Sequence, residues 1–206
     1  VNRGRCRRTR AAAVENGADA VTEDVVDPLD VSPTNLDQVD QLTIEINDIT
    51  DRVPYVWHPT SPNGKFVIMH NGHATTWNTA GMNTMIKTLV EAGYTVAGLM
   101  MPPGSGGEGT THDSMEIYDG VEDLYRFLDS AVRVINQYEG TFSTFYMVGL
   151  SGGGWSTVLV SALETRISKS MDIQGSIPLY CSTPAGVARD WEQTLPGLTS
   201  LVEYTD

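Results

Sequence analysis

The hydrophobic and polar positions along the chain follow two periods, one typical of strands and one typical of helices. Between residues 42 and 46 every second residue is apolar, which predicts a half-buried strand. Residues 66–69 are continuously apolar, as expected for a strand that is buried on both faces. Between residues 79 and 92 apolar side chains recur at helical spacing, and Gly93 then provides a C-cap, so this segment is predicted to be a helix.

The same alternation continues through the rest of the chain. Further strands are predicted at residues 53–57, 94–101, 142–148 and 173–180. Further helices are predicted at residues 117–135 and 155–163. Two strands followed by repeated strand–helix–strand units predict an α/β fold with a mostly parallel sheet and flanking helices.

Ligands of such sheets bind beyond the carboxyl ends of the parallel strands, so the chemistry is expected where these ends meet. Four segments follow strands of the predicted sheet: His70–His73, Pro102–Asp113, Gly149–Gly152 and Cys181–Pro184. Candidate functional residues are therefore sought in these segments.

The first 40 residues differ in composition from the rest of the chain. They contain no aromatic residue; five Arg lie within the first ten positions, and residues 11–51 carry eleven acids and no Lys or Arg. A segment of this kind buries too little apolar surface to offset the entropy of ordering it. We therefore expect residues 1–40 to form an acidic, flexible tail and residues 41–206 to form one domain.

Composition and charge narrow the class of partner. The formal net charge is −13 at pH 7, and a chain of this sign repels phosphate backbones, so general nucleic-acid binding is not expected. The longest apolar stretch, residues 96–101, is too short to span a bilayer, and residues 1–20 do not show the pattern of a signal peptide.

Two cysteines, Cys6 and Cys181, with no C-x-x-C spacing, predict neither a disulfide framework nor a zinc site, and they leave the compartment undetermined. No metal or organic cofactor is expected.

The strongest chemical motif is GLSGG at residues 149–153, a G-x-S-x-G. A buried strand pattern precedes it and a helix pattern follows it, which is the strand–turn–helix setting of a nucleophile elbow. Such a turn holds its serine at strained backbone angles, at the N-terminus of a helix whose dipole favours an oxyanion. Ser151 is therefore the candidate nucleophile. The competing interpretation is a glycine-rich helix start with a capping serine.

The segment MHNGH at residues 69–73 follows the third predicted strand. An oxyanion hole needs two backbone N–H groups aimed at one point. The N–H of Gly152 is the expected first donor, and the loop after the third strand is the expected source of the second, since a glycine there lets the backbone come close. We expect the His73 N–H to be this donor. The alternative is a plain β-to-α turn that carries a polar histidine.

With these residues identified, the sequence resembles the α/β-hydrolase fold family. The resemblance covers residues 41–206 and rests on three pieces in the family's order: FVIMHNGH, TMIKTLVEAGYTVAGLMMP and FYMVGLSGGGW. It implies serine-type hydrolysis of a carboxylic ester or a related acyl bond in a small-molecule substrate. It also implies Ser151 as the nucleophile and the backbone N–H groups of His73 and Gly152 as the oxyanion donors.

The sequence departs from this family in its histidines. The family's triad runs Ser, then Asp or Glu, then His along the chain. No histidine follows Ser151; the four in the chain are His58, His70, His73 and His112. The pattern also predicts about six strands, where the fold typically has about eight. We therefore expect a C-terminally incomplete portion of a longer hydrolase, with the acid and the histidine beyond Asp206, and a chain that is poorly soluble and catalytically silent by itself.

Other interpretations remain open. One is a non-catalytic domain of the same fold, used for binding. Another is a nucleotide-binding Rossmann-type protein that uses Gly104–Gly109, a G-x-G-x-x-G, or Gly149–Gly154. The pair His112-Asp113 fits either a solvated loop or a contact with substrate. Trp77 and Trp155 flank the expected site, either as the lining of an acyl pocket or as core residues.

Overall fold

The computed structural model describes residues 17–46, 49–52, 54–73, 75, 77–102, 121–175 and 193. The strands in these residues are β1 (Ala20–Thr22), β2 (Leu36–Ile46), β3 (Ile49–Arg52), β4 (Tyr55–Pro59), β5 (Phe66–His70), β6 (Thr95–Leu99), β7 (Phe145–Leu150) and β8 (Ile167–Ile173). The helices are α1 (Ala80–Glu91), α2 (Val121–Tyr138) and α3 (Gly152–Leu163).

The strands form one mixed sheet in the order β1-β2-β4-β6-β5-β7-β8, and β3 pairs with β2 beside this path. The pairs β1–β2, β2–β3, β2–β4 and β4–β6 are antiparallel. The pairs β6–β5, β5–β7 and β7–β8 are parallel. The carboxyl ends of these four parallel strands therefore lie at one edge of the sheet.

Side-chain alternation in the central strands supplies a hydrophobic core on each face of the sheet. In β5, Phe66 and Ile68 join the core that includes apolar residues of α2 and α3. Val67 and Met69 join the other core, with apolar residues of α1. Since side chains of successive strand residues point to opposite faces, a strand buried on both faces must be continuously apolar. The predicted α/β class, with parallel strands and flanking helices, is confirmed.

The last described strand lies earlier in the chain than the sequence pattern predicts. β8 covers Ile167–Ile173, and Gln174 follows with a positive φ of 58°. Most of the predicted strand, residues 176–180, lies outside the described residues. The pattern missed β8 because five consecutive residues of this strand are exposed, so it lacks the apolar run of a buried strand.

The expected tail over residues 1–40 is wrong for residues 17–40. β1 and the first half of β2 pair within the sheet, and Leu29 is buried in the core beside α1. An acidic residue of this segment has specific partners, since Asp27 Oδ1 accepts hydrogen bonds from Trp57 Nε1 at 2.8 Å and from the Leu29 N–H at 3.0 Å. Residues 1–16 lie outside the described residues. The packed domain therefore includes chain on the N-terminal side of Gln41.

Arg133 of α2 links the start of the described chain to the domain through hydrogen bonds. Its Nε donates to the Gly17 carbonyl at 3.0 Å, its Nη1 donates to the Glu45 carbonyl, and its Nη2 pairs with Asp19 Oδ1 at 2.8 Å. The guanidinium is largely buried. Burial raises the pKa of nearby Asp129, whereas Arg133 lowers it and Asp19 raises it. The pKa of Asp129 therefore depends in part on the N-terminal segment that carries Asp19.

Arg133→Ala should lower the free energy of unfolding by about 2 kcal/mol, because it removes three hydrogen bonds made by a largely buried guanidinium. Amide exchange of β1 should increase at the same time, because the segment loses its anchor. The control is Lys87→Ala, which removes an exposed ion pair to Glu91 and should change stability by less than about 0.5 kcal/mol. The measurements are urea unfolding and hydrogen exchange. Equal stability of the full chain and a chain that begins at Gln41 would contradict this account of residues 17–40.

Candidate active site

Ser151 is the single residue between the end of β7 and the start of α3. Its backbone angles are φ 54° and ψ −126°, a region that residues other than glycine rarely adopt. A conformation of this kind costs about 1–3 kcal/mol, so the surrounding structure must hold it. The Ser151 side chain makes no capping hydrogen bond to the helix. The interpretation of Ser151 as a helix-capping serine is therefore wrong.

Two backbone hydrogen bonds hold this turn. The Ser151 N–H donates to the Ile173 carbonyl at the end of β8, at 2.9 Å. The Ser151 carbonyl accepts from the Trp155 N–H at 3.1 Å, which is the first intrahelical bond of α3. The N–H groups of residues 152–154 precede that bond and have no partner within the helix. The turn thus presents the positive end of a helix dipole beside the serine.

Glycines let the turn close this tightly. A β-carbon built on Gly149 would lie 2.1 Å from the Gly153 carbonyl oxygen, and one built on Gly153 would lie 2.3 Å from the His70 carbonyl oxygen. These distances are far below any van der Waals contact, so the motif's glycines are required by backbone-to-backbone packing.

The loop after β5 passes directly over Ser151. A β-carbon built on Gly72 would lie 2.9 Å from Ser151 Cβ and 3.5 Å from Ser151 Oγ. Asn71, which is fully buried, fixes this loop: its N–H donates to the Leu99 carbonyl at 2.8 Å, and its Oδ1 accepts from the Gly72 N–H at 3.0 Å. Thr75 Oγ1 donates to the Gly72 carbonyl at 2.8 Å. The loop is therefore held from both sides of its glycine.

His73 and Gly152 come together as well. A β-carbon built on Gly152 would lie 2.5 Å from His73 Cε1 and 2.8 Å from His73 Nδ1. The Met101 methyl group would lie 2.7 Å from the same point, which brings the end of β6 to the site. The structure therefore brings the three predicted site residues together: Ser151, His73 and Gly152.

Other sequence candidates lie elsewhere. Trp155 packs on Phe127 in the core, with ring centroids 5.6 Å apart, and Trp77 packs on Trp57 on the opposite face, at 5.9 Å. Both tryptophans are thus core residues. His58 Nε2 lies 2.9 Å from Asp40 Oδ2. His58 is the register partner of Gln38 in the pair β2–β4, away from the carboxyl edge of the parallel strands.

Several sequence candidates lie outside the described residues: Cys6, Gly104–Gly109, His112, Asp113 and Cys181. Within the described part of the chain, no three His, Cys, Asp or Glu side chains are grouped so that they would hold a metal ion. None of the helices described here has the length and apolar character that crossing a bilayer requires.

Sequence reasoning missed residues that support the site rather than carry its motif. Asn71 has a recognisable signal, since an Asn between a strand and a glycine often bonds to the nearby backbone. Met101 and Ile173 have none, because they reach the site through the order of strands in the sheet. Among the described groups with a shifted pKa is Tyr138, whose pKa is raised mainly by burial. Its ring packs on Phe66 at the start of β5, so it lies away from Ser151.

No protein-family model matches the chain, and no curated protein matches it in sequence. Solved structures do match. An acetyl xylan esterase from Paenibacillus sp. R4 is 10% identical with a TM-score of 0.64, over 97% of this chain and 67% of that one. Acetyl xylan esterase 1 from Thermoanaerobacterium sp. JW/SL YS485 is 13% identical with a TM-score of 0.57, over 97% and 68%.

Brefeldin A esterase, described as a bacterial homologue of human hormone-sensitive lipase, is 18% identical with a TM-score of 0.52, over 97% of this chain and 53% of that one. The chain has the α/β-hydrolase fold. It spans about half to two thirds of the length of these esterases. At such low identities the likeness establishes the α/β-hydrolase fold and leaves the chemistry to be argued from the site.

Gly153→Ala should destabilise the α/β-hydrolase domain by at least about 2 kcal/mol, because the new methyl group overlaps the His70 and Asn71 carbonyl oxygens. The matched control is Gly81→Ala in α1, where a β-carbon meets nothing within 4 Å. That change should stabilise the helix by up to about 1 kcal/mol. Urea unfolding of both variants measures the difference. A Gly153→Ala variant as stable as the wild type would show that the two loops are farther apart than described.

Proposed function

We propose that this domain hydrolyses a carboxylic ester or a related acyl bond of a small molecule through an acyl-enzyme on Ser151. The observation that carries the proposal is the position of Ser151. Its backbone is strained, its side chain makes no capping hydrogen bond, and it lies at a helix N-terminus beside Gly72 of the neighbouring loop. This position supports the assignment of a nucleophile elbow that faces an oxyanion loop. The matched structures are esterases, which supports the same class of reaction.

In the proposed reaction Ser151 Oγ attacks the carbonyl carbon while a base accepts the hydroxyl proton. The electron pair of the carbonyl π bond moves to the oxygen, which leaves a C–O⁻ single bond, and the backbone N–H groups of His73 and Gly152 stabilise this oxyanion. Collapse of this tetrahedral intermediate expels the alcohol, which takes up the proton. Water then attacks the acyl-enzyme by the same steps and releases the acid.

The choice of donors follows from the hydrogen bonds of the loop. The Gly72 N–H is engaged by Asn71 Oδ1 at 3.0 Å, so it is not the proposed donor, and His73 supplies the next amide along the loop. Gly152 is the first residue of α3, and its N–H lies before the first intrahelical bond. Both residues lie beside Ser151, as the proposed oxyanion site requires.

The base is the part of the proposal that the family's order does not supply, because no histidine follows Ser151 in the sequence. The sequence leads us to expect a catalytically silent chain, but the strained Ser151 beside the loop after β5 supports some reactivity, so we propose that these 206 residues turn over esters slowly by themselves. In serine hydrolases whose triad is disabled, the oxyanion donors and substrate binding still give roughly 10³–10⁴-fold catalysis over water, so slow turnover is the expected result for these residues.

Two alternative functions are compared with the site: nucleotide binding and non-catalytic binding. The glycines of Gly149–Gly154 are used in backbone packing, since the His70 and Asn71 carbonyl oxygens lie where a β-carbon on Gly153 would be. This argues against the nucleotide-binding alternative at that loop. A non-catalytic binding domain of the same fold is the second candidate, because within these 206 residues every histidine precedes Ser151 and the family's order of triad residues is not met. The two functions that remain differ in the reactivity of Ser151.

Incubation of the 206-residue chain with a fluorophosphonate should give an adduct whose mass maps to Ser151. Ser151→Ala should abolish this adduct, and the exposed control Ser168→Ala should leave it unchanged. Turnover of p-nitrophenyl acetate should be low. Labelling of another residue, or no adduct at all, would favour the non-catalytic alternative. Fast turnover that Ser151→Ala removes would instead point to His73 or His112 as the base.

A further inference from the structure

A short turn follows β8 and contacts the serine turn from the side opposite the loop of residues 70–73. Asp172 Oδ1 accepts the Gly175 N–H at 2.8 Å and so closes this turn over Gln174, whose φ is 58°. Between Asp172 and Gln174, the Ile173 carbonyl accepts the Ser151 N–H at 2.9 Å. One side-chain oxygen thus sets the turn that holds the backbone of the proposed nucleophile.

The turn after β8 also packs closely against the first turn of α3. A β-carbon built on Gly175 would lie 2.3 Å from the Gly154 carbonyl carbon, and one built on Gly154 would lie 2.2 Å from Asp172 Oδ1. The two backbones can approach this closely only because both positions are glycine. Asp172 and Gly149 are also register partners in the parallel pair β8–β7, so the carboxylate is fixed relative to the motif.

We propose that Asp172 is a positioning residue for Ser151: its Oδ1 closes the turn of residues 172–175, which aims the Ile173 carbonyl at the Ser151 N–H and keeps the serine in its strained conformation. The role in catalysis rests on the proposed function, whereas the role in holding Ser151 does not. The role belongs to the acceptor oxygen and not to the negative charge. Asn keeps such an oxygen in the same place, and Ala removes it.

This distinction sets the experiment. In the full 206-residue chain, Asp172→Ala should lower the hydrogen-exchange protection of the Ser151 amide by about tenfold, the usual effect of losing one hydrogen bond's support. Asp172→Asn should restore protection to within about threefold of the wild type, since the acceptor is kept. Amides in the middle of β7 should be unchanged in both variants. The control is Lys169→Ala, an exposed position on the same strand.

The rate of fluorophosphonate labelling at Ser151 should follow the same order. Asp172→Ala should label about tenfold more slowly than the wild type, and Asp172→Asn and Lys169→Ala should label at nearly the wild-type rate. Wild-type protection and labelling in Asp172→Ala would overturn the proposal, and so would an Asp172→Asn variant that behaves like Asp172→Ala. If the wild type does not label, the proposed function fails, and the exchange of the Ser151 amide still decides the role of Asp172.

Discussion

The close approach of two backbones at the carboxyl edge of the sheet is the constraint on which the rest of the site depends. The loop after β5 lies on the turn between β7 and α3, with the His70 carbonyl where a side chain at Gly153 would be and Gly72 over Ser151. Neither segment tolerates a side chain at these points of contact. Backbone geometry therefore defines the site, and the position of the Ser151 hydroxyl follows from it.

The sheet supplies the register for this approach. In the parallel pair β5–β7, His70 lies opposite Gly149, so the two loops leave the sheet at the same level. On the other side of β7, β8 brings the Ile173 carbonyl to the Ser151 N–H. The strained serine is thus held between both neighbouring strands, and the burial of β5 at every position makes this frame rigid.

The parts of this structure that the sequence predicts are those with a local signal. The continuous apolar run of β5 and the G-x-S-x-G between a strand and a helix identify the fold and Ser151, because period and turn chemistry act over a few residues. Leu29 and β8 were missed for a different reason. Leu29 is buried by distant partners within an acidic stretch, and β8 is an exposed strand with no apolar run, so neither is visible in a local window.

The central claim is that an oxyanion on Ser151 is held between two loops. A crystal structure of the protein after reaction with a small phosphonate tests it most directly, because the phosphoryl oxygen mimics the oxyanion. The account predicts a phosphorus bonded to Ser151 Oγ, with one oxygen about 3 Å from both the His73 and Gly152 backbone nitrogens. A phosphonate on Ser151 whose oxygens contact neither amide would contradict it.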